Sequence, residues 1–364
     1  MPETAIVAVA VSAGVMEIQE LTIPPIGEDE ALLKVEASGI CGTDYEWFRG
    51  DLPVPFPLIL GHEPLGTIEI IGPVASQRWG VKAGDRVAVR SHFTCGRCQA
   101  CRAGNVEPCP QASSFGATVQ DRPPGLWGAH AEYMYLPPGT VVYPMDKTLP
   151  ADVAVMFNPL GAGFDWAVDT PSLKEGESIA ILGPGQRGLC AVVAAKEAGA
   201  ATVVVTGLGR DEHKLALARD LGADLTINVE QDDPVDRVME ATGGVGVDVV
   251  LDASAYSVLA VAQAIRMAKK GGRVVLAGLK GGRLLENLSS DEIIWKNLTV
   301  MGVLGVRPGA FMRAVEAIQS RRYPLERLHT HSFPVEETEQ ALKTLAGETG
   351  EAAIHIAVVP RPRQ

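Results

Sequence analysis

The sequence predicts an α/β protein with two domains, in which a β-rich domain comes first and a doubly wound parallel sheet follows. Three observations support this fold class. The chain has 364 residues, which is too long for a single ordinary hydrophobic core and therefore indicates two domains. Up to about residue 150 it contains short β-rich runs separated by glycine and proline. From about residue 176, apolar runs alternate with alanine-rich amphipathic runs.

The first domain is predicted from short runs that are rich in valine, isoleucine and tyrosine, which favour an extended backbone. Each run is bounded by turn-forming residues, as expected of strands in an all-β lobe. The runs cover 5–11, 31–37, 67–72, 85–90, 131–136 and 140–145.

The second domain is predicted from strands and helices that alternate along the chain. Its strand runs are almost continuously apolar, which is typical of parallel strands covered by helices on both faces. Strand runs cover 178–183, 202–207, 247–253, 273–278 and 298–304, and helical runs cover 189–200, 213–223 and 258–272. Beyond about residue 305, two further helices and two β-like runs form a tail too short to be a domain, which we expect to pack on the first lobe.

The composition excludes several classes of function. Apolar residues make up 46% and charged residues 21% of the chain, and the net charge is −12. This acidity disfavours nucleic acid and anionic membranes as partners. The apolar opening MPETAIVAVAVSAGV lacks the basic region of a signal peptide, and no run is long enough to span a membrane. Four of the six cysteines fall between 95 and 109, which favours metal binding in a reducing compartment, with the cytoplasm as the default.

A candidate catalytic metal site lies in the stretch 39–63, which contains Cys41 and His62. A thiolate and a neutral imidazole are zinc ligands, and a catalytic zinc needs about three protein ligands so that one position stays open. Asp44 is placed to hold the other ring nitrogen of His62 and fix its tautomer. Taken alone, such a pair is more often two core residues than a metal site.

A candidate structural metal site follows from four cysteines with the spacing C-x₂-C-x₂-C-x₇-C. One short loop with this spacing can fold four thiolates around a tetrahedral zinc ion, which leaves no open position for substrate. Two local disulfides and an iron–sulfur cluster are the alternatives. The four residues are Cys95, Cys98, Cys101 and Cys109.

A dinucleotide-binding turn is predicted where the run 178–182 leads into G-x-G-x-x-G and then a helix. Such glycines let the backbone approach a pyrophosphate at a helix N-terminus. A glycine-rich turn without a ligand is the alternative. The turn consists of Gly183, Pro184, Gly185, Gln186, Arg187 and Gly188.

The choice of nucleotide depends on the end of the next strand. NAD-binding units usually carry an acidic residue there, but this strand ends at Thr206 without one. Arg210 lies close enough along the chain to meet a 2′-phosphate, although Asp211 is also near. The sequence therefore leans slightly towards NADP over NAD.

Taken together, these motifs resemble the medium-chain, zinc-dependent alcohol dehydrogenase superfamily, in particular its sorbitol, threonine and glucose dehydrogenase branch. The resemblance runs nearly end to end. It rests on CGTD at 41–44, GHEPLG at 61–66, the four cysteines, GPGQRG at 183–188 and VVLAG at 274–278, whose last residue is the cofactor-binding candidate Gly278.

The resemblance implies a GroES-like catalytic domain over 1–159, a Rossmann domain over 160–304 and a return to the catalytic domain over 305–364. It implies one catalytic and one structural zinc, NAD(P), and a cleft between the domains that holds the nicotinamide beside the catalytic zinc. Family members pair their last Rossmann strand across a two-fold axis, so the run 298–304 implies a homodimer or homotetramer.

The resemblance also assigns roles to residues of the first domain. It implies that Cys41 and His62 are catalytic zinc ligands, that Glu63 can enter the coordination sphere, and that the Thr43 hydroxyl passes on the substrate proton. Two positions depart from the family. Asn158 stands where a glutamate ligand is usual. Three roles are open to it: weak binding of the metal through its oxygen, loss of that coordination position to water or Glu63, or a hydrogen bond within a turn.

The second departure is Glu46, which stands where the family often has the histidine that ends its proton relay. A carboxylate also accepts protons, but Glu46 is equally compatible with a solvated surface charge. Aromatic residues are candidates for an apolar substrate site or for the core. These are Trp47, Phe48, Phe115, Trp127 and Phe157.

The sequence therefore predicts a zinc-dependent enzyme that transfers a hydride between a secondary alcohol or its ketone and NAD(P). The small-molecule substrate is an alcohol or carbonyl compound, and a bulky cyclic or aromatic alcohol is as compatible as a polyol. A zinc-independent quinone or enoyl reductase of the same superfamily and a non-catalytic dinucleotide-binding redox sensor are the alternatives.

Overall fold

The structure is a computed structural model that describes residues 2–102, 109–285 and 288–362. The chain divides into two compact units, one formed by Met1–Met156 with His329–Gln364 and the other by Phe157–Leu328. The sequence predicted that the chain returns to the first domain at residue 305. In the structure, residues 305–328 belong to the second unit instead. The helix at Pro308–Gln319 packs there against Phe157–Gly163.

Among its described residues, the first unit begins with ten strands and four helices. The strands are β1 (Thr4–Ser12), β2 (Val15–Thr22), β3 (Ala31–Gly39), β4 (Leu58–Ile59), β5 (Glu63–Ile71), β6 (Arg86–Val89), β7 (His92–Phe93), β8 (Ser113–Ser114), β9 (Tyr133–Leu136) and β10 (Val142–Pro144). The helices are α1 (Gly42–Arg49), α2 (Pro73–Trp79), α3 (Gln99–Arg102) and α4 (Ala151–Ala154).

The described part of the second unit contains six strands and seven α-helices, with a π-helix at Phe164–Asp169. The strands are β11 (Ser178–Leu182), β12 (Thr202–Gly207), β13 (Leu225–Asn228), β14 (Val247–Asp252), β15 (Ala268–Leu276) and β16 (Thr299–Gly302). The helices are α5 (Phe157–Gly163), α6 (Gln186–Glu197), α7 (Glu212–Asp220), α8 (Pro234–Ala241), α9 (Val258–Met267), α10 (Ser290–Lys296) and α11 (Pro308–Gln319). The chain then returns to the first unit as β17 (His329–Phe333), α12 (Thr338–Leu345) and β18 (His355–Val358).

The main sheet of the first unit has the strand order β10-β6-β5-β3-β18-β17, and β9 also pairs with β3. Strands β17 and β18 are parallel, and the other pairs are antiparallel. Both strands of the C-terminal segment therefore complete a sheet begun some 300 residues earlier. The last β-like runs thus lie in the main sheet of the first unit.

The sheet of the second unit is parallel throughout, with the order β13-β12-β11-β14-β15-β16. The order reverses between β11 and β14, and ligands of such sheets bind at the carboxyl ends of the strands beside this point. The predicted α/β fold class is confirmed, but strand β13 and helices α5, α8 and α10 were not predicted. No helix of the described residues is long and apolar enough to cross a bilayer.

Candidate active site

Cys41 is held at the N-terminus of helix α1, directly after strand β3. Its backbone N–H donates to the Asp44 carboxylate at 2.9 Å, so Asp44 caps the first turn of the helix. An acidic residue is favourable there because the helix dipole is positive at its N-terminus. The thiol of Cys41 is thereby fixed near the Asp44 side chain, which is completely buried.

His62 lies between β4 and β5, after a turn at Gly61 that has a φ of 93°. Asp44 Oδ1 is 3.0 Å from His62 Nδ1 and also accepts from the backbone N–H of Gly61 at 3.1 Å. This confirms the predicted contact between Asp44 and His62. With Nδ1 held by the carboxylate, Nε2 is the ring nitrogen left to bind a metal.

The electrostatics at His62 favour a positive charge on the ring or beside it. Burial alone would lower the pKa of His62, but the charge and hydrogen bond of Asp44, followed by Cys41, raise the pKa well above its ordinary value. Burial acts against ionisation of Asp44 too, yet the neighbouring His62 lowers the pKa of that carboxyl. The His62 ring, whose surroundings stabilise a bound proton, is therefore also suited to bind a metal cation.

Cys41, His62 and Glu63 form a buried group whose possible ligand atoms all lie within 4.8 Å of one another. His62 Nε2 is 4.0 Å from Glu63 Oε1, and the Glu63 side chain is completely buried. A thiolate, an imidazole and a carboxylate are a donor set suited to zinc, and three ligands leave one position open. The residues present therefore fit a catalytic zinc.

Thr43 and Glu46 lie on helix α1, one turn apart, so that their side chains share a face. The Cys41 thiol donates to Thr43 Oγ1 at 3.6 Å. Only 8% of Glu46 is exposed, which excludes the interpretation of this residue as a solvated surface charge. A hydroxyl beside Cys41 and a buried carboxylate thus follow one another along the helix.

The four cysteines between 95 and 109 cluster in space, with their sulfur atoms all within 4.8 Å of one another. Backbone N–H groups point at these sulfurs: Cys95 donates to Cys109 at 3.4 Å and Cys98 donates to Cys95 at 3.3 Å. A hydrogen bond from the Arg97 backbone, opposed by burial, lowers the pKa of the Cys95 thiol to about 6. All six cysteines of the chain are free thiols, so the alternative of two local disulfides is not what the structure shows.

In the second unit, glycines are required at the carboxyl ends of β11 and β15. Gly183 has a φ of 102° and packs against the Ser254 backbone, and a Cβ on Gly278 would lie 2.0 Å from Ser254 O. A Cβ on Gly188 would lie 2.0 Å from Gly183 O. Gly185 is exposed at the N-terminus of α6 with open space beside its Cα. This cradle fits a pyrophosphate, whose close approach needs a bare backbone.

The end of β12 carries no acidic side chain. Thr206 is buried, and Asp211 accepts from the Leu208 backbone at 3.2 Å and pairs with Lys214 at 3.1 Å. Glu230 approaches the same turn and accepts from the Gly209 backbone at 2.7 Å. Arg210 is exposed and makes no hydrogen bond or ion pair with the residues that the structure describes.

Asn158 lies in α5 and is 1% exposed. Its Oδ1 accepts from the Arg187 guanidinium at 3.3 Å, and the same guanidinium lies 5.0 Å from the centroid of the Trp166 ring. Gln186, the neighbour of Arg187 in the glycine turn, is also buried. The amide oxygen, the only metal-binding atom that Asn158 offers, thus faces a fixed positive charge.

Most of the aromatic candidates belong to the hydrophobic core. Of these candidates, only Trp47 lies edge-on to the His62 ring, with 5.3 Å between the two ring centroids. The others are buried: Phe48, Phe115, Trp127 and Phe157. Two histidines near the metal group, His130 and His355, were not identified from the sequence, because only the tertiary structure brings His130 against Gly61 and His355 across Gly39 from Glu63.

Comparison with known proteins adds independent support. Residues 27–147 match the family described as alcohol dehydrogenase GroES-like domain, and residues 188–320 match the family described as zinc-binding dehydrogenase. The chain is 47% identical over 349 residues to a Mycobacterium tuberculosis protein named "Probable alcohol dehydrogenase adh", which covers 94% of this chain and 95% of that protein.

More distant relatives agree. An L-threonine 3-dehydrogenase of Bacillus velezensis is 33% identical over 343 residues, covering 93% of this chain and 94% of that protein. Among solved structures, a Sinorhizobium meliloti protein named as a zinc-binding dehydrogenase and bound to NADP superimposes with a TM-score of 0.85 at 28% identity. That match covers 99% of this chain and 100% of the other.

Proposed function

Because this chain belongs to the medium-chain, zinc-dependent alcohol dehydrogenase superfamily, we propose that it exchanges a hydride between a secondary alcohol or its ketone and NAD(P). The observation that carries the proposal is the buried group of Cys41, His62 and Glu63, with Asp44 on the outer ring nitrogen of His62. A zinc-independent reductase is not favoured, because such enzymes lack both this group and the four-cysteine cluster.

When bound, zinc would act as a Lewis acid on the substrate oxygen and the nicotinamide would exchange the hydride. Cys41, His62 and Glu63 would hold the ion, and Asp44 would keep His62 in the tautomer that binds through Nε2. The Thr43 hydroxyl, beside Cys41, would accept the proton of the alcohol as it gives up its own O–H proton. Glu46, the buried carboxylate one turn further along α1, would be the final acceptor of the proton that Thr43 releases.

We assign the metal-binding carboxylate to Glu63 and a different role to Asn158. The Asn158 amide oxygen accepts from Arg187, whose charge would repel a cation at the same atom. Asn158 would instead hold the guanidinium against the Trp166 ring, where a cation–π contact also favours it. The glycine turn at 183–188, Thr206, Arg210 and Gly278 would form the nucleotide site.

Metal analysis and a substrate panel test the proposed function together. We expect two zinc ions per chain and oxidation of at least one secondary alcohol from a panel of L-threonine, polyols and cyclic or aromatic alcohols, each assayed with NAD and NADP. One zinc and no turnover would instead support a redox sensor. A chain without zinc that still reduces quinones or enones would support a reductase.

Cys98→Ser is expected to remove the zinc of the four-cysteine cluster and to lower the melting temperature by on the order of 5–10 °C, because a structural zinc contributes folding free energy. Zinc content and thermal unfolding, measured on the same preparation, check this. A variant that keeps both its second zinc and its melting temperature would contradict a structural zinc at these thiols.

Arg210→Ala is expected to weaken NADP binding by roughly 10- to 100-fold and to change NAD binding little, because a guanidinium–phosphate bond contributes about 1.5–3 kcal/mol. Dissociation constants for both nucleotides check this, with Arg237→Ala, a partly exposed arginine on α8, as the control. Equal losses for both nucleotides, or a wild-type protein that prefers NAD, would reject the assignment.

A homodimer, alone or within a tetramer, is expected because β16 lies at the edge of its sheet. Exposed apolar side chains flank this edge: Ile294 is 70%, Trp295 73% and Leu304 91% exposed. Leu304→Glu should dissociate the dimer at micromolar concentration in sedimentation experiments, whereas Met312→Glu, at an exposed position of α11, should not. A monomeric wild-type chain would contradict the assembly.

A further inference from the structure

Gly39 opens a space in the main sheet of the first unit that Glu63 and His355 both face. Gly39 on β3 pairs with Glu63 on β5 and with Ala357 on β18. His355 precedes Ala357 by two residues, so both project to the same face of their strand. A Cβ on residue 39 would lie 2.6 Å from Glu63 Oε2 and 3.2 Å from His355 Nε2. The two polar atoms therefore converge where a larger residue would stand.

A series of hydrogen bonds connects His355 with the protein surface. Its Nδ1 is 3.0 Å from Nδ1 of His329, and Nε2 of His329 is 2.8 Å from the hydroxyl of Ser332. His355 is completely buried, His329 is partly exposed and Ser332 is exposed. The series thus leads from the surface to the interior and ends at the space beside the Glu63 carboxylate.

The chemistry of these groups fixes the direction of the series. Of two facing imidazole nitrogens, one must donate and the other accept. If His355 donated from Nδ1 to His329, its Nε2 would turn a lone pair towards an ionised carboxylate, which can only accept. If Ser332 donates to His329 and His329 donates to His355, Nε2 of His355 carries the proton and faces Glu63 as a donor.

Two further observations agree with this direction. Nε2 of His355 is buried and hydrogen-bonds to none of the described residues, so an N–H at this atom would gain a partner if the Glu63 carboxylate turned towards it across Gly39. Burial, with a contribution from His329, lowers the pKa of His355 to about 3, and burial also lowers the pKa of His329. Both rings are therefore neutral at pH 7, as the alternation of donor and acceptor requires.

We propose that His355, oriented by His329, is a positioning residue that holds the Glu63 carboxylate in place for metal binding. This inference rests on the proposed role of Glu63 as a ligand. A donor that orients a ligating carboxylate typically changes metal affinity by about 10- to 100-fold. His355 would act before any chemistry, by reducing the number of orientations that Glu63 samples.

The rate of zinc loss to a chelator tests the proposal on the full-length protein. His355→Leu removes the donor, and His355→Gln keeps an N–H donor on a side chain of similar reach. His331→Gln is the matched control, since His331 lies on the same strand as His329 but pairs with Glu351 at 3.0 Å. Zinc held by the four cysteines serves as an internal reference, and the absorption of protein in which cobalt(II) replaces only the Cys41-site zinc reports directly on that site.

We expect His355→Leu to release the Cys41-site zinc about 10- to 100-fold faster and to alter the cobalt spectrum, while His355→Gln restores most of the wild-type rate. Ser332→Ala, an exposed and structurally mild change, should produce a smaller acceleration in the same direction.

Unchanged release from folded His355→Leu would overturn the inference and leave the proposed function intact. If His355→Leu does not fold, Ser332→Ala and His355→Gln decide: zinc release at the wild-type rate in Ser332→Ala would overturn the inference. A wild-type protein without zinc at Cys41 would overturn both.

Discussion

Cys41→Ala is expected to remove one of two zinc ions and to lower turnover by at least about 10³-fold. The thiolate is a principal ligand of the buried group that also contains His62 and Glu63. Lewis-acid stabilisation contributes several kcal/mol to the transition state, and each ~1.4 kcal/mol corresponds to a factor of ten in rate. Zinc content and kcat, measured on one preparation, check this result.

Two variants serve as controls for the loss of Cys41. Cys190→Ala removes a thiol that is buried in helix α6 of the other unit, so both zinc ions should remain. Asn158→Ala should also keep both ions, because its amide oxygen is engaged by Arg187. Loss of zinc from Asn158→Ala would return this residue to the ligand set, and an unchanged kcat in Cys41→Ala would refute a catalytic zinc.

Thr43→Val and Glu46→Gln are each expected to lower the rate of alcohol oxidation by roughly 10²-fold, the low end for general-base assistance. Valine keeps the shape of threonine and removes its hydroxyl, and glutamine keeps the size of the buried Glu46 and removes its charge. Neither residue is itself a proposed zinc ligand, so the zinc content should stay at two ions per chain.

Rate–pH profiles between pH 6 and 9 distinguish the two positions. If Thr43→Val is inactive while Glu46→Gln keeps full activity throughout this range, the proton leaves by another route and Glu46 has a structural role only. Equal losses in both variants, with unchanged zinc, are the result expected of a relay along the buried face of α1.

Local patterns were sufficient for the parts of the site in which all participants lie close together in sequence. The four thiols fall within a single loop, and the glycine turn follows directly from β11, so their spacing alone predicts which atoms meet. The contact between Asp44 and His62 was predictable for a related reason, because a carboxylate that caps α1 stays beside Cys41. Short and mixed segments were not predictable: LTIN at 225–228 has too few apolar residues to reveal strand β13.

By itself, the sequence determined the α/β fold class, the order of most elements and the residue types that bind zinc and a dinucleotide, since these depend on periodicity and short-range spacing. Only the tertiary structure decided which distant residues stand beside those ligands. Strand register places His355 across Gly39 from Glu63, and helix packing brings Arg187 to Asn158. Packing against α5 also assigns residues 305–328 to the second unit. These contacts join positions up to nearly 300 residues apart, and hydrophobic periodicity along one segment contains no information about the partner that the segment meets.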